Sequence, residues 1–297
     1  MIGKAVANKN PPLPAVYALA LSPAGDRLAV IGRSVVMTDP ANGARLYACR
    51  PVPHPAHAAF SPDGATLAVK STSGRIVLLR AASGDVVADF KNSTDWEGAA
   101  PAYSACGRYL VDASWQGHIV VRDTLRQLPD QRHAFAGEMI VGVLASRDRA
   151  MWAFVHQPKT KSLTEPAAPA YITVWTWPLT ACRALAPDIG IGAAALSPDG
   201  QVLAVADDAQ VQFLRVANGT VLQAVPSERC KRIRWSPDGT LVAFVQQSSI
   251  AVHAFPSCAL VEVFEQPFAA DACFAPDNAF VAVGGWQAGD IRRFERN

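Results

Sequence analysis

The sequence predicts an all-β chain folded as a seven-bladed β-propeller with four antiparallel strands per blade. Three observations predict it: one short phrase recurs along the whole chain, it recurs seven times, and its spacing fits one four-stranded blade. The phrase is an apolar residue, Ser-Pro-Asp-Gly, one or two residues, then a short apolar run. It reads LSPAGDRLAVI from Leu21, FSPDGATLAVK from Phe60, LSPDGQVLAVA from Leu196 and WSPDGTLVAFV from Trp235. Weaker copies are YSACGRYLVDA from Tyr103, LASRDRAMWAF from Leu144 and FAPDNAFVAVG from Phe274. The serine position falls at Ser22, Ser61, Ser104, Ala145, Ser197, Ser236 and Ala275, at intervals of 39, 43, 41, 52, 39 and 39 residues. A propeller blade takes about 40–45 residues.

Each copy reads as four strands, A to D. Strand A runs into Ser-Pro-Asp-Gly, where Pro pre-sets φ, Asp or Ser bonds the local backbone and Gly suits the exit. This phrase joins strand to strand, not strand to helix, so it is a turn and not a phosphate loop. Strand B follows, as in Thr66–Val69, and strand C after it, as in Ile76–Leu79 or Ile119–Val121. A second tight turn comes at Asn42-Gly43, Ser83-Gly84 and Asn218-Gly219, which are hairpin signals. Strand D closes the copy, as in Val86–Phe90, Val221–Val225 and Leu260–Phe264.

The two ends complement each other. The last copy has strands near Ala270–Phe274, Phe280–Gly284 and Asp290–Phe294, and no strand D. Ile2–Ala7 precede the first strand A without a blade of their own. The N-terminal strand is therefore expected to complete the last blade, closing the ring and covering an open sheet edge. One domain then spans 1–297, with blade cores near 15–49, 56–90, 100–135, 139–186, 191–225, 230–264 and 270–294 plus 2–7.

Composition agrees with a folded domain and narrows the partners. Half of the 297 residues are hydrophobic and 18% are charged, enough to bury a sizeable core. A net charge of +2 is too small to argue for nucleic acid or for a polybasic membrane surface. No apolar run reaches the ~18 residues needed to span a bilayer. Ala15–Ala24, with Lys4 and Lys9 upstream, resembles a weak secretory leader. Pro11, Pro12 and Pro14 interrupt its approach, and the same stretch fits the first strand A. Six scattered cysteines with no C-x-x-C pair read as reduced, structural residues.

The chain resembles the WD40 and WD40-like (SPDG, TolB-type) propellers of bacteria over nearly its whole length. Blade three, GRYLVDASWQGHIVVRD from Gly107, is nearest to the WD40 phrase. The Gly-His dipeptide that opens many WD40 repeats is missing. The Trp-Asp ending survives only in Thr38-Asp39, Arg122-Asp123 and Val174-Trp175. Blade packing is accordingly expected to rest on apolar contacts and not on a His–Ser/Thr–Asp–Trp network. The resemblance implies that the D–A and B–C loops form the partner-binding face.

Variation in this sequence concentrates in those loops. In blade four, His156–Ala170 separates strand B (Ala150–Val155) from strand C (Tyr171–Thr176), and it carries Lys159 and Lys161. A long loop of this kind is often functional. Trp96, Trp115 and Trp286 fall in D–A or B–C loops and are candidate partner anchors. Arg33, Arg75, Asp207, Asp208 and Gln247 belong to the same face. Trp152, Trp175, Trp177 and Trp235 lie inside strands and read as packing residues. His54 and His57 form an H-x-x-H too poor in ligands to make a metal site.

Two charges break the pattern of strand B. At its third position Asp112 stands among Val30, Val69, Phe154, Val205, Phe244 and Val283, and at its fourth Lys70 stands among apolar or small residues. They lie in neighbouring blades on opposite strand faces, which allows them to meet between blades two and three.

These observations favour a non-enzymatic interaction or scaffolding propeller that binds another protein or peptide, as a monomer or within a larger complex. No cofactor, metal, nucleic acid or membrane is implied, and a cytoplasmic location is expected, with the periplasm as alternative. The alternative function is a small-ligand-binding or lactonase-like hydrolytic propeller with its site at the channel mouth. Strand-A starts here are mostly small or apolar (Val16, Ala56, Ala100, Ile140, Ile191, Ala270), Arg232 with nearby Arg229 and Lys231 being the exception. That favours binding over chemistry.

Overall fold

The structure is a computed structural model that describes residues 2–6, 12–90, 97–159, 168–187 and 189–296, with backbone only for 2–6 and 293–296. It has seven four-stranded antiparallel sheets, and no helix among the described residues. In chain order, β1 is Ile2–Val6. Blade one is β2 (Ala18–Leu21), β3 (Leu28–Ile31), β4 (Val35–Thr38) and β5 (Arg45–Cys49). Blade two is β6 (Pro55–Phe60), β7 (Thr66–Ser71), β8 (Ile76–Arg80) and β9 (Val86–Phe90). Blade three is β10 (Ala102–Tyr103), β11 (Tyr109–Ala113), β12 (His118–Asp123) and β13 (Gln131–Ala134). Blade four is β14 (Glu138–Ala145), β15 (Met151–Pro158), β16 (Tyr171–Thr176) and β17 (Ala181–Leu185). Blade five is β18 (Ala193–Leu196), β19 (Val202–Ala206), β20 (Gln210–Arg215) and β21 (Val221–Pro226). Blade six is β22 (Arg232–Trp235), β23 (Leu241–Val245), β24 (Ser249–Ala254) and β25 (Leu260–Glu265). Blade seven takes β26 (Ala269–Phe274), β27 (Phe280–Gly285) and β28 (Gly289–Arg296). Its sheet has the order β1-β28-β27-β26, with β1 antiparallel to β28. The connection onward to blade one is pinned by Leu13 N–H to Gly289 O at 2.9 Å and Val16 N–H to Gly285 O at 2.8 Å.

The repeated phrase makes one turn, and in six of the seven blades a serine hydroxyl braces it. Ser61 Oγ accepts from Thr66 N–H at 2.9 Å and donates to Asp63 Oδ1 at 2.5 Å. Ser197 and Ser236 do the same with Val202 and Asp199, and with Leu241 and Asp238. One hydroxyl thus pairs a backbone donor that would otherwise face inward. The fourth residue is left-handed in every turn, from Gly64 at φ 70° to Arg149 at 58° and Asn278 at 56° in the glycine's place. In blade four the serine position is Ser146, not Ala145 as the sequence pattern suggests. Ser146 Oγ accepts from Met151 N–H at 3.0 Å, and Ser146-Arg147-Asp148-Arg149 is the turn. Consecutive turns interlock. A β-carbon on Gly64, Gly107 or Gly239 would lie 3.5, 3.5 and 3.6 Å from the proline of the preceding blade (Pro23, Pro62, Pro198).

Each blade is apolar on both faces, so neither can be left to water. The buried residues accordingly form seven clusters, one at each contact between neighbouring blades. Blades one and two share Ile31, Met37, Leu67 and Leu79, and blades seven and one share Val16, Leu28, Phe280 and Ile291. The apolar expectation therefore holds at most interfaces and needs correcting at two places.

The first is the interface of blades two and three, whose cluster has only Ala68, Ile76, Leu78, Phe90, Tyr103 and Leu110 as buried members. Here Lys70 and Asp112 do pair, at 2.6 Å. The fully buried Lys70 ammonium also donates to Ala99 O at 3.1 Å and Ala113 O at 2.8 Å, so all three of its protons have acceptors. Asp112 is also 3.8 Å from Arg122, which in turn holds Asp130 at 2.5 Å. The second is blade four. His156, expected in the loop, is a fully buried member of β15, which runs on to Pro158. Tyr171 O–H donates to Glu138 Oε1 at 2.7 Å, and Trp175 Nε1–H donates to Thr173 Oγ1 at 2.9 Å. The His156 ring bridges the two pairs, with Nδ1 2.7 Å from Glu138 and Nε2 2.7 Å from Thr173. A neutral ring satisfies the chain: Nδ1–H donates to the carboxylate and Nε2 accepts from the threonine hydroxyl.

All six cysteines are unpaired. Cys106 and Cys182 are exposed, against the expectation of structural packing.

Three outcomes are expected for stability. Deleting residues 1–8 removes β1 and bares the edge of β28, and a melting temperature lower by on the order of 10 °C is expected. Lys70→Ala strands a buried carboxylate and should cost about 3–5 kcal/mol in chemical denaturation. Lys70→Met combined with Asp112→Val should cost clearly less than the sum of its single changes, which a double-mutant cycle measures.

Candidate ligand-binding face and channel mouth

The inner strands begin on the face formed by the D–A and B–C loops, and three of them carry an irregularity at that end. The register shifts between Pro55 and His57 in β6, between Ile140 and Gly142 in β14, and between Ala269 and Asp271 in β26. An extra residue re-aims the side chains beside it. Two of the residues so placed are titratable: His57, which lines the channel, and Asp271, which is buried behind Arg232 and Arg234 of its wall.

Asp271 is fully buried and joins three blades. Its carboxylate accepts from Leu19 N–H of blade one at 2.9 Å, and from Arg234 of blade six at 2.8 and 3.0 Å. Arg232 stands 2.8 Å from it as well. Burial opposes its ionisation, but the two guanidiniums and their hydrogen bonds hold its pKa at about 2. One carboxylate against two guanidiniums leaves a net positive charge at this point. In the same cavity as Arg232, His57 Nε2 lies 3.5 Å from Glu97 Oε1, an ion-pair distance without a hydrogen bond. Burial lowers the His57 pKa from 6.5, Glu97 works against that, and Arg232 adds to it.

Above these groups is a cavity of about 640 Å³ lined by Tyr17, Arg33, Arg50, His57, Glu97 and Arg232 among others. A smaller space of about 210 Å³ continues between the inner strands, past Ala18, Ala58, Gly142 and Ala193. The mouth is polar and cationic, and the channel wall is mostly small and apolar. Guanidinium groups and an imidazole at such a mouth can donate hydrogen bonds to an anion. No group of three or more metal-ligating side chains occurs among the described residues.

The candidate anchors are placed as follows. Trp115 is 40% exposed, its N–H donating to Glu97 O at 3.2 Å, and Trp286 is 63% exposed, tied to Phe268 O at 3.1 Å. Arg33 is exposed on the cavity rim. Arg75 is held within its own blade by Asp89, at 2.6 and 3.1 Å. Asp207 caps its own turn, accepting from Ala209 and Gln210 N–H at 2.8 Å each. Asp208 is exposed and lines a separate space of about 320 Å³ with Glu228 and Arg229. Lys159 is exposed at the start of the blade-four loop. Trp96 and Lys161 lie outside the described residues. Trp152 and Trp175 are buried in the core, as their strand positions imply.

Four participants were not singled out from the sequence as anchors: Tyr17, Arg50, Phe268 and Asp271. For Asp271 a signal existed, a lone carboxylate in an apolar inner strand facing the Arg-Ile-Arg of β22. Tyr17 and Phe268 give none, because an aromatic residue beside a strand reads as core.

His57, His156 and His253 all have pKa values lowered by burial. The unfolded chain then takes up protons near pH 6.5 that the folded chain refuses, so their stabilisation is present above that pH and lost as the pH falls. Asp63, Asp148, Asp238 and Asp271 are also lowered, and their stabilisation is lost at more acidic pH, from about 4 downward. The melting temperature is expected to fall in two stages, between pH 7 and 5 and again below pH 4. A curve flat from pH 7.5 to 5 contradicts the histidine assignment.

No protein-family model matches the chain, and no curated protein matches it.

Proposed function

We propose that this seven-bladed β-propeller is a non-enzymatic interaction or scaffolding protein, built like the WD40-like propellers. It takes a partner protein on the face formed by its D–A and B–C loops. One observation carries this. The four exposed aromatic residues among the described residues, Tyr17, Trp115, Phe268 and Trp286, all lie on that face. The exposed aliphatic residues lie elsewhere, on the outer strands (Leu46, Val86, Val87, Val221, Leu222, Leu260, Val263) and at the blade-three turn (Leu125, Leu128).

The segregation has a physical meaning. An exposed aromatic gains nothing in the free molecule, whereas in a partner's pocket it buries a large area at little cost in side-chain entropy. Phe268 and Trp286 adjoin through the hydrogen bond between their backbones, and Tyr17 follows in the next blade. On the opposite face the A–B turns share one geometry, and the C–D connections are short, at four to seven residues. A face with distinct loops and accessible aromatics is the one able to discriminate a partner.

A pull-down from lysate of the source organism, read by mass spectrometry, tests this. Trp115→Ala with Trp286→Ala should leave the melting temperature within about 2 °C of wild type, because both side chains are exposed. The same variant should weaken capture of the partner at least about tenfold. Undiminished capture by the folded variant contradicts the assignment of the face.

A further inference from the structure

We infer that the cavity at the channel mouth seats the carboxylates of an acidic peptide segment, with Arg33 and Arg50 as the reading groups and Arg232 at its floor. This rests on the face being a protein-binding one and gives its partner a chemistry.

Charge complementarity is the main argument. Arg33 comes from the B–C loop of blade one and Arg50 from the loop leading to blade two, and both are exposed. Neither has a hydrogen-bond or ion-pair partner among the described residues. Arg232 enters the same cavity from blade six, and its one carboxylate, Asp271, is shared with Arg234. Lys231 adds a further exposed cation beside the channel. Against these five cationic groups stand two carboxylates, Glu97 and Asp271. The whole chain carries only +2, so the excess is concentrated at the mouth. Guanidinium forks present paired donors that match a carboxylate.

Two further observations point to a ligand. His57 lines both the cavity and the channel below it, and its buried Nε2 makes no closer polar contact than the Glu97 carboxylate at 3.5 Å, too long and misaligned for a hydrogen bond. A buried polar atom left unpaired is costly, and a bound group at this position removes that cost. Tyr17, an exposed aromatic of the proposed face, is itself part of the cavity wall, so the cavity is continuous with that face. Around the ring, Asp207, Asp208 and Glu228 outnumber Arg229 and place net negative charge near blade five. An acidic segment is therefore repelled there and directed to blades one and two.

The test is a fluorescence-anisotropy titration of the full chain with labelled hexaglutamate at low ionic strength, about 20 mM, where surface charge is least screened. Hexalysine, citrate and inorganic phosphate are the comparison probes. Wild type should bind hexaglutamate and not hexalysine, with affinity falling steeply as salt is added. Arg33→Ala with Arg50→Ala should weaken the peptide at least about tenfold at an unchanged melting temperature. Trp115→Ala with Trp286→Ala should leave hexaglutamate binding unchanged, because neither side chain lines the cavity. Absence of hexaglutamate binding, or equal binding by the arginine variant, overturns the proposal. So does tighter binding of citrate or phosphate than of the peptide, which would make this a site for a free small anion. A pull-down without a partner, alongside arginine-dependent peptide binding, counts against the protein-binding face and not against the cavity.

Discussion

The architecture depends on one constraint: every sheet is apolar on both faces, so every sheet must be covered twice. A four-stranded blade cannot do this alone, and an open stack of blades would leave its two end faces wet. A ring of seven has no end faces, and seven buried clusters lie one to an interface. The repeated turn serves the same end. Its serine, present in six blades, satisfies the backbone where strands A and B reverse, and where the turn has a proline that proline packs against the glycine of the next blade. The last sheet takes its outermost strand from the other end of the chain.

Charge enters this apolar frame mainly in networks that partner it. Lys70 has three acceptors, and Asp271 collects donors from blades one and six. Such networks are paid for in desolvation and return orientation more than stability. Lys70 and Asp112 lock two blades whose apolar contact is the smallest of the seven. Asp271 fixes the inner strands of three blades around the channel and leaves an unbalanced guanidinium there. The irregularities in β6 and β26 fall beside His57 and Asp271, the two inner-strand residues that carry these polar contacts. The polar mouth is thus a local departure from the pattern that builds the ring.

Much of this was legible in the sequence because the repeat writes it seven times. Fold, blade count and strand order follow from the turn phrase, and the pairing of Lys70 with Asp112 follows from two charges that interrupt apolar columns. What was not legible depended on single residues. Ala145 was favoured over Ser146 because the phrase in blade four lacks both Pro and Gly, and only the hydrogen bond to Met151 settles the position. His156 read as loop because nothing in the sequence shows that Glu138 and Thr173 will flank its ring. The channel mouth was hidden because a one-residue shift of register changes which side chain points inward without changing the pattern. Arg75 and Asp207 were legible as residues of the face, but not as groups already engaged with Asp89 and with a local turn.

The proposed partner-binding face is the one formed by the D–A and B–C loops. Hydrogen–deuterium exchange of the chain, alone and with a captured partner bound, tests it most directly. The account predicts slowed exchange in residues 13–17, 32–34, 50–57 and 266–268 and in 286–288, with the turns at 22–25, 61–64, 197–200 and 236–239 unchanged. Protection confined to those turns, or to the outer strands, would contradict it.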